Sequence, residues 1–263
     1  MRGVQQQLRL FFIALQFLTR LPAPRWVGFE PAWLSQATRY FVLVGAAVGA
    51  FGAALALAAL QLWPPAVAAG LSVAGTLWLS AALHEDGLAD SCDALLGAAP
   101  RERALAIMKD SRIGSYGAAA LTLSLLLRVL LLAALLARDP LLAAAAWVAA
   151  HGAGRAAAVA LMALLPYAGD TAQAKAAALA RAPRPSDVGW TLASGAALLA
   201  LAASAAAALP HAAAAALGLL LLVLAVRGWL RRRLGGHTGD TLGAVEQLAE
   251  IVVLLAFAAR FTP

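Results

Sequence analysis

One cysteine, Cys92, stands in 263 residues. A lone cysteine excludes an intramolecular disulfide and a cysteine-rich zinc site. Charge is scarce as well: 13% of residues are charged and 63% are apolar, against about 25% and about 45–50% in a soluble domain. That much apolar surface does not fit inside one globular core, so lipid must solvate much of the chain. Three chemical signatures are missing too: a phosphate-binding P-loop, a Ser/His/Asp array, and the Gly-x-Gly-x-x-Gly of dinucleotide sites. Near the start, the apolar stretch after Met1–Gln7 lacks a small-residue cleavage site, so it is not read as a secretory signal.

What is present is a series of apolar runs, each about the 17–25 residues a membrane span needs. Seven are predicted, at 40–62, 66–83, 117–137, 140–165, 188–209, 212–230 and 242–260. Pro64-Pro65, Asp139-Pro140 and Pro210-His211 are tight breaks that turn neighbouring spans into hairpins. Residues 4–21 differ: Val4, Leu8, Phe11, Phe12, Leu15 and Leu18 share one helical face, which predicts an N-terminal interfacial or re-entrant helix. The expected fold is therefore all-α, a polytopic helical bundle of about seven transmembrane helices, with residues 1–263 forming one transmembrane catalytic domain. No internal repeat and no second domain is visible.

The net charge of +7 raises the question of nucleic acid, but no basic face with interleaved aromatics exists. The cations instead follow the positive-inside rule. With the N-terminus in the cytoplasm, Arg2, Arg9, Arg20, Arg25 and Arg39 precede the first span. Arg101, Arg103, Lys109 and Arg112 fall in loop 84–116, Lys175, Arg181 and Arg184 in loop 166–187, and Arg227, Arg231, Arg232 and Arg233 beside loop 231–241. The other side keeps only Arg138 and Arg260, and Arg128 and Arg155 lie mid-span. All three long polar loops then share the cytoplasmic side.

These loops carry the chemistry. In His84–Asp93, Asp86, Asp90 and Asp93 are spaced i, i+4, i+7, within about 60° of one another on a helix. Three stacked like charges repel, and a divalent cation between them makes the spacing sensible; oxygen-only ligands favour Mg²⁺ or Mn²⁺ over zinc. The plainer reading is a solvated acidic helix start near the positive end of a dipole. His84 and Glu85 point off that face, toward capping or supporting roles. Arg101–Gly117 reads as a short amphipathic helix over 101–109, followed by Lys109, Asp110, Ser111 and Arg112. Gly114 and Gly117 then allow close backbone approach to a ligand, while Lys109 and Arg112 offer donors to phosphate oxygens. Asp110 is a further metal ligand or a partner for Arg112.

The last span opens with a glycine-rich turn holding Gly239 and Asp240. Asp240, Gly243 and Gln247 share a stripe, with Glu246 and Glu250 on a neighbouring one. Carboxylates inside a membrane helix should face the bundle interior and mark a site. Arg128, and His151 with Arg155, are expected to pair with such acids; Arg155 is also a candidate for the site. Together, carboxylates for a cation, cations for a diphosphate and a further carboxylate for a hydroxyl proton describe phosphoryl transfer.

The motifs His84–Ala94, Arg101–Gly117, Gly154-Arg155 and Thr238–Ala244, with Phe17–Pro24 near the start, resemble those of the cobalamin synthase (adenosylcobinamide-GDP ribazoletransferase) family, in the family's order along the whole chain. The sequence departs from the family at Gly169, where an arginine often stands, and at His237, where an aromatic does. The resemblance implies a Mg²⁺-dependent inner-membrane enzyme of the phosphotransferase class. In it the 5′-hydroxyl of α-ribazole, or its 5′-phosphate, attacks the diphosphate of adenosylcobinamide-GDP and GMP leaves. On that basis Asp86, Asp90 and Asp93 hold Mg²⁺, and Lys109, Arg112 and Arg155 neutralise charge on the transferred group. Asp110 or Asp240 is the base or a second-metal ligand. The expected partners are these two substrates and membrane lipid, with self-association left open and no nucleic acid. A CDP-alcohol phosphotransferase would need an Arg after Asp86-Gly-Leu-Ala and two later aspartates, which are missing. A transporter would be favoured by an inverted repeat.

Overall fold

The computed structural model describes residues 2–28, 30–97, 99–169, 180–204 and 209–260. Eleven α-helices run through them: α1 (Arg2–Leu18), α2 (Pro31–Ala37), α3 (Phe41–Ala59), α4 (Pro65–Leu79), α5 (Leu83–Leu95), α6 (Arg101–Ile107), α7 (Ser115–Arg138), α8 (Pro140–Leu164), α9 (Pro185–Ser204), α10 (Leu209–Arg233) and α11 (Gly239–Ala258). A 3₁₀ turn, Thr38–Tyr40, joins α2 to α3. Among the described residues there is no strand, only a bridge between Tyr167 and His237. Lys175 and Asp170 lie outside the described residues.

The helix boundaries follow local chemistry. Asp139 closes α7 and caps α8, accepting from the amides of Leu141 at 2.9 Å and Leu142 at 3.1 Å, with Pro140 at the first helical position. Thr238 and Thr241 cap the start of α11 reciprocally: each side chain bonds the other's backbone.

Six helical runs are long and apolar enough to cross a membrane, and up to seven do so if α4 and α5 count as one bent span. The protein is a multi-pass helical membrane protein. The expected span at 66–83 is where sequence and structure differ. Its helix, α4, has 15 residues, fewer than the roughly 20 a straight crossing needs. Ala81 and Ala82 both take φ near 55°, a left-handed conformation that ends a right-handed helix. The chain turns by 88° into α5, which packs against α7 and α11.

At the centre stands α8. Of its apolar window 78% is buried, and of that of α11 72%, against 11% for α10. So α8 and α11 form the inner core, while α10 presents Leu217, Leu220, Leu221 and Leu224 outward. The close approach of α3 to α8 depends on small residues. A β-carbon at Gly45 would lie 2.5 Å from the carbonyl oxygen of His151, and one at Gly49 2.8 Å from the Cα of Val148.

The amphipathic N-terminal helix exists as α1. Val4 and Leu8 are exposed, whereas Leu10, Ile13, Ala14 and Leu18 are buried against α3 and α8. Of the predicted stripe, Leu18 is buried and Phe11, Phe12 and Leu15 pack against the same cluster. The Arg20 amide donates to the carbonyl of Leu79 at 2.9 Å, and its guanidinium lies over the Trp78 ring at 4.4 Å. These contacts fasten the end of α1 to the α4–α5 bend.

The three long polar loops gather at one end. Arg101 donates to the carbonyls of Leu234 at 2.8 Å and Ala168 at 3.1 Å, and Arg233 donates to that of Gly97 at 2.8 Å. The amide of His237 donates to the carbonyl of Pro166 at 2.9 Å, and the His237 ring meets that of Tyr167 edge to face. At the opposite end Arg138 donates to the Phe257 carbonyl at 3.1 Å.

Candidate active site

Two clusters of acids begin side by side on α5. Glu85 points into the bundle, where Arg128 of α7 donates to it at 3.0 Å. The same guanidinium bonds Gln247 and stands 3.5 Å from Glu250, both on α11. Arg155 of α8 donates to Glu250 at 2.8 Å and to the carbonyl of His151 at 3.0 Å, and is ion-paired with Glu246. His151 meets Glu250, and His84 Nδ1 lies 3.7 Å from Glu246. All of these side chains are buried. Three carboxylates face two guanidiniums, so all but one of the buried negative charges has a cationic partner within the bundle. Among the described residues, His151, Glu246 and Glu250 are the group whose possible metal-ligand atoms lie within 4.8 Å of one another. Arg155 contacts all three, so that space already holds a cation.

The second cluster lies at the loop end. Asp86 is exposed, and Asp90, Asp93 and Asp240 are half-buried. Glycine brings their helices together. A β-carbon at Gly87 would sit 2.7 Å from the carbonyl oxygen of Asp240, and one at Gly243 would sit 3.2 Å from the Cα of His84. The start of α11 thereby rests directly on α5. Burial, together with the charges of Asp86, Asp240 and Asp93, pushes the Asp90 carboxyl up to about 7. Carboxylates that resist ionisation because others crowd them are a set that a hard divalent cation would relieve, and the donors are all oxygens. The residues therefore fit a Mg²⁺ ion.

Asp93 is committed differently from its neighbours. Its carboxylate accepts from the amides of Gly114 at 2.7 Å and Gly117 at 2.8 Å, capping the N-terminus of α7 from another helix. This contact pulls Asp93 toward α7, and it uses the backbone donors of the two glycines expected to approach a ligand. A β-carbon at Gly117 would lie 2.3 Å from Asp93. The pairing therefore pins the Lys109–Gly114 loop beside the aspartates. Within that loop Arg112 donates to Asp110 at 2.6 Å, and this bond holds the Asp110 carboxyl down at about 2. Lys109 and Arg112 are exposed. Arg155 stands apart from them, deep in the bundle.

Between α1, α3, α5, α8 and α11 lies a cavity of about 200 Å³. Asp86 and Leu83 stand at its exposed rim; Gly239 and Asp240 also line it, and the buried Arg155 and Glu246 contribute to its wall. Sequence periodicity placed the acids, but the apolar wall that α1 and α3 supply needed tertiary structure to become visible.

The family model described as cobalamin-5-phosphate synthase matches residues 10–258. A protein of Leptothrix cholodnii named adenosylcobinamide-GDP ribazoletransferase is 49% identical over 262 residues, 98% of each chain. Proteins of the same name from Shewanella piezotolerans and Vibrio cholerae are each 39% identical, over 97% of this chain and 96% of theirs. No solved structure matches. With its motifs in order and its relatives aligned almost end to end, the chain belongs to the cobalamin-5-phosphate synthase family.

Proposed function

We propose that the chain joins α-ribazole, or its 5′-phosphate, to adenosylcobinamide-GDP with release of GMP. It would do so in the bacterial inner membrane, at the cytoplasmic end of the bundle, with Mg²⁺ held by Asp86 and Asp90. The observation that carries this reading is the meeting of α5 with the start of α11 at Gly87, which assembles Asp86, Asp90 and Asp240 beside the cation-bearing Lys109–Arg112 loop. The clustering of Arg101, Arg103, Lys109, Arg112, Arg231, Arg232 and Arg233 at that end supports the cytoplasmic side.

The bond that forms runs from an acceptor hydroxyl oxygen to the cobinamide-linked phosphorus; the bond that breaks joins that phosphorus to GMP, which departs with the electron pair. The family description names a product carrying a 5-phosphate. A phosphate retained there leaves a ring hydroxyl of the ribose as the nucleophile, in place of the 5′-hydroxyl that the resemblance suggested. Mg²⁺, when bound, supplies neutralisation of the diphosphate oxygens. Lys109 and Arg112 add donors to the same oxygens. For the hydroxyl proton, Asp240 is the better acceptor: it lines the cavity beside Asp86, whereas Asp110 is bonded to Arg112 and holds protons weakly. Arg155 lines the same cavity, ion-paired with Glu246 and Glu250.

The test is GMP release by detergent-purified protein given both substrates. Release is expected to require both of them and Mg²⁺, and to stop with EDTA. Release that persists in EDTA, or without the acceptor, would contradict the reading.

A further inference from the structure

The cavity beside the aspartates has a polar rim and an apolar body. Phe17 and Leu18 from α1, Phe41 from α3, and Ala158 and Met162 from α8 supply that body. At about 200 Å³ it is below the roughly 300–1,000 Å³ that encloses a drug-sized ligand. A corrin ring is therefore excluded, and a single flat bicyclic group is the size that fits. Two buried polar atoms of its lining residues make no hydrogen bond among the described residues, Nε of Arg155 and Oε1 of Glu246; the second is ion-paired with Arg155, which leaves Nε as the donor without a partner. An occupant with one ring-nitrogen acceptor and otherwise apolar edges would complete it.

Two bicyclic bases take part in the reaction. Guanine presents several donors and acceptors around its edge, and would need a matching set of free groups. Glu246, the wall's natural acceptor for a guanine N–H edge, is already engaged by Arg155 and by Gln247 at 2.9 Å. The benzimidazole of ribazole has apolar edges, ring methyl groups and one unsubstituted ring nitrogen. Resting on the ribazoletransferase reading above, we propose that this cavity binds the aromatic base of the acceptor nucleoside. Phe17, Phe41, Ala158 and Met162 then act as its specificity-determining wall. The base enters past Leu83, and the ribose is left at the rim, where Asp86 and Asp240 face its hydroxyls. Helix α1, held to the α4–α5 bend through Arg20, is thereby part of the substrate site as well as a membrane-surface element.

The test uses two acceptors, the ribosides of dimethylbenzimidazole and of unsubstituted benzimidazole, with the full-length protein in detergent. Ala158→Leu narrows the cavity. It is expected to lower kcat/KM for the methylated acceptor about tenfold relative to the unsubstituted one, the discrimination a methyl-sized change in an apolar pocket gives. Phe17→Ala widens the cavity at a half-buried position and is expected to shift the ratio the opposite way, with KM for adenosylcobinamide-GDP changing little. The ratio is independent of how much protein folds, and the milder Phe17→Ala decides the matter if Ala158→Leu does not insert. An unchanged ratio in active variants, or a rise in KM for adenosylcobinamide-GDP in place of the acceptor, would overturn the assignment. A wild-type protein that releases no GMP would instead overturn the underlying reading of function.

Discussion

Glu85 and Asp86 are neighbours in sequence but belong to opposite electrostatic regimes. Glu85, with Glu246 and Glu250, sits in the membrane interior against Arg128 and Arg155. Asp86, with Asp90 and Asp240, sits at the loop end, where the nearest charges are one another and Asp90 is pushed up to about 7. The first cluster pairs its carboxylates with two guanidiniums, and these contacts tie four helices together. The second crowds carboxylates together without a guanidinium among them, the arrangement that a divalent cation would relieve. Adjacent positions on α5 thus send one carboxylate into the bundle interior and the other to the exposed surface.

Substitutions in each cluster should therefore fail in different ways. The largest effect is expected in the interior. Arg128→Met leaves Glu85 and Glu250 short of a counter-charge and should cost about 3–5 kcal/mol of stability, read as an earlier unfolding transition in detergent. Were the variant as stable as wild type, the interior cluster would not be the structural one. Next come Asp86→Asn and Asp90→Asn, each expected to lower turnover at least about 10²-fold, with the unfolding transition unmoved. Loss of stability in step with activity would erase the distinction between the clusters.

Gly87→Val tests how the mouth is assembled. Its β-carbon would come within 2.7 Å of Asp240, so α5 and α11 must separate, at about 1–3 kcal/mol for overpacking. Turnover should fall while substrate-independent membrane insertion is retained. The smallest effect is a pH dependence at the loop junction. Burial holds His237 neutral, with its pKa lowered from 6.5 to about 4. A depressed folded-state value favours the neutral form, so its contribution is complete above 6.5 and is lost as pH falls toward 4. From neutral pH to about pH 6, wild type should lose about 1 kcal/mol by this route. His237→Tyr, which keeps the ring contact with Tyr167, should not show that part of the loss in a melting series across pH.

Much of this was legible in the sequence because it was periodic or expensive. The Asp86, Asp90, Asp93 spacing, the mid-span Arg128 and Arg155, and the acids of α11 are each costly in their place unless partnered, so pairing could be inferred without coordinates. Six of the seven expected spans were readable by length alone, and the seventh, at 66–83, is the bent α4–α5 pair. What escaped depended on distant parts of the chain. Nothing local marks Asp93 as the cap of α7, since its partners Gly114 and Gly117 lie more than twenty residues on. The α4–α5 bend rests on two alanines in a conformation usually signalled by glycine. Nothing local marks Leu10, Ile13 and Ala14 of α1 as buried, because their partners Phe41, Val44 and Val159 come from α3 and α8. The cavity wall joins residues from α1, α3 and α8 that no spacing relates.

The direct measurement of the central claim is where the divalent cation binds. With adenosylcobinamide-GDP present, Mn²⁺ titrated into wild-type protein should lose its free-ion electron paramagnetic resonance signal. The folded Asp86→Asn, Asp90→Asn double variant should leave the ion free over the same range. A double variant that takes up Mn²⁺ as tightly as wild type would contradict the account.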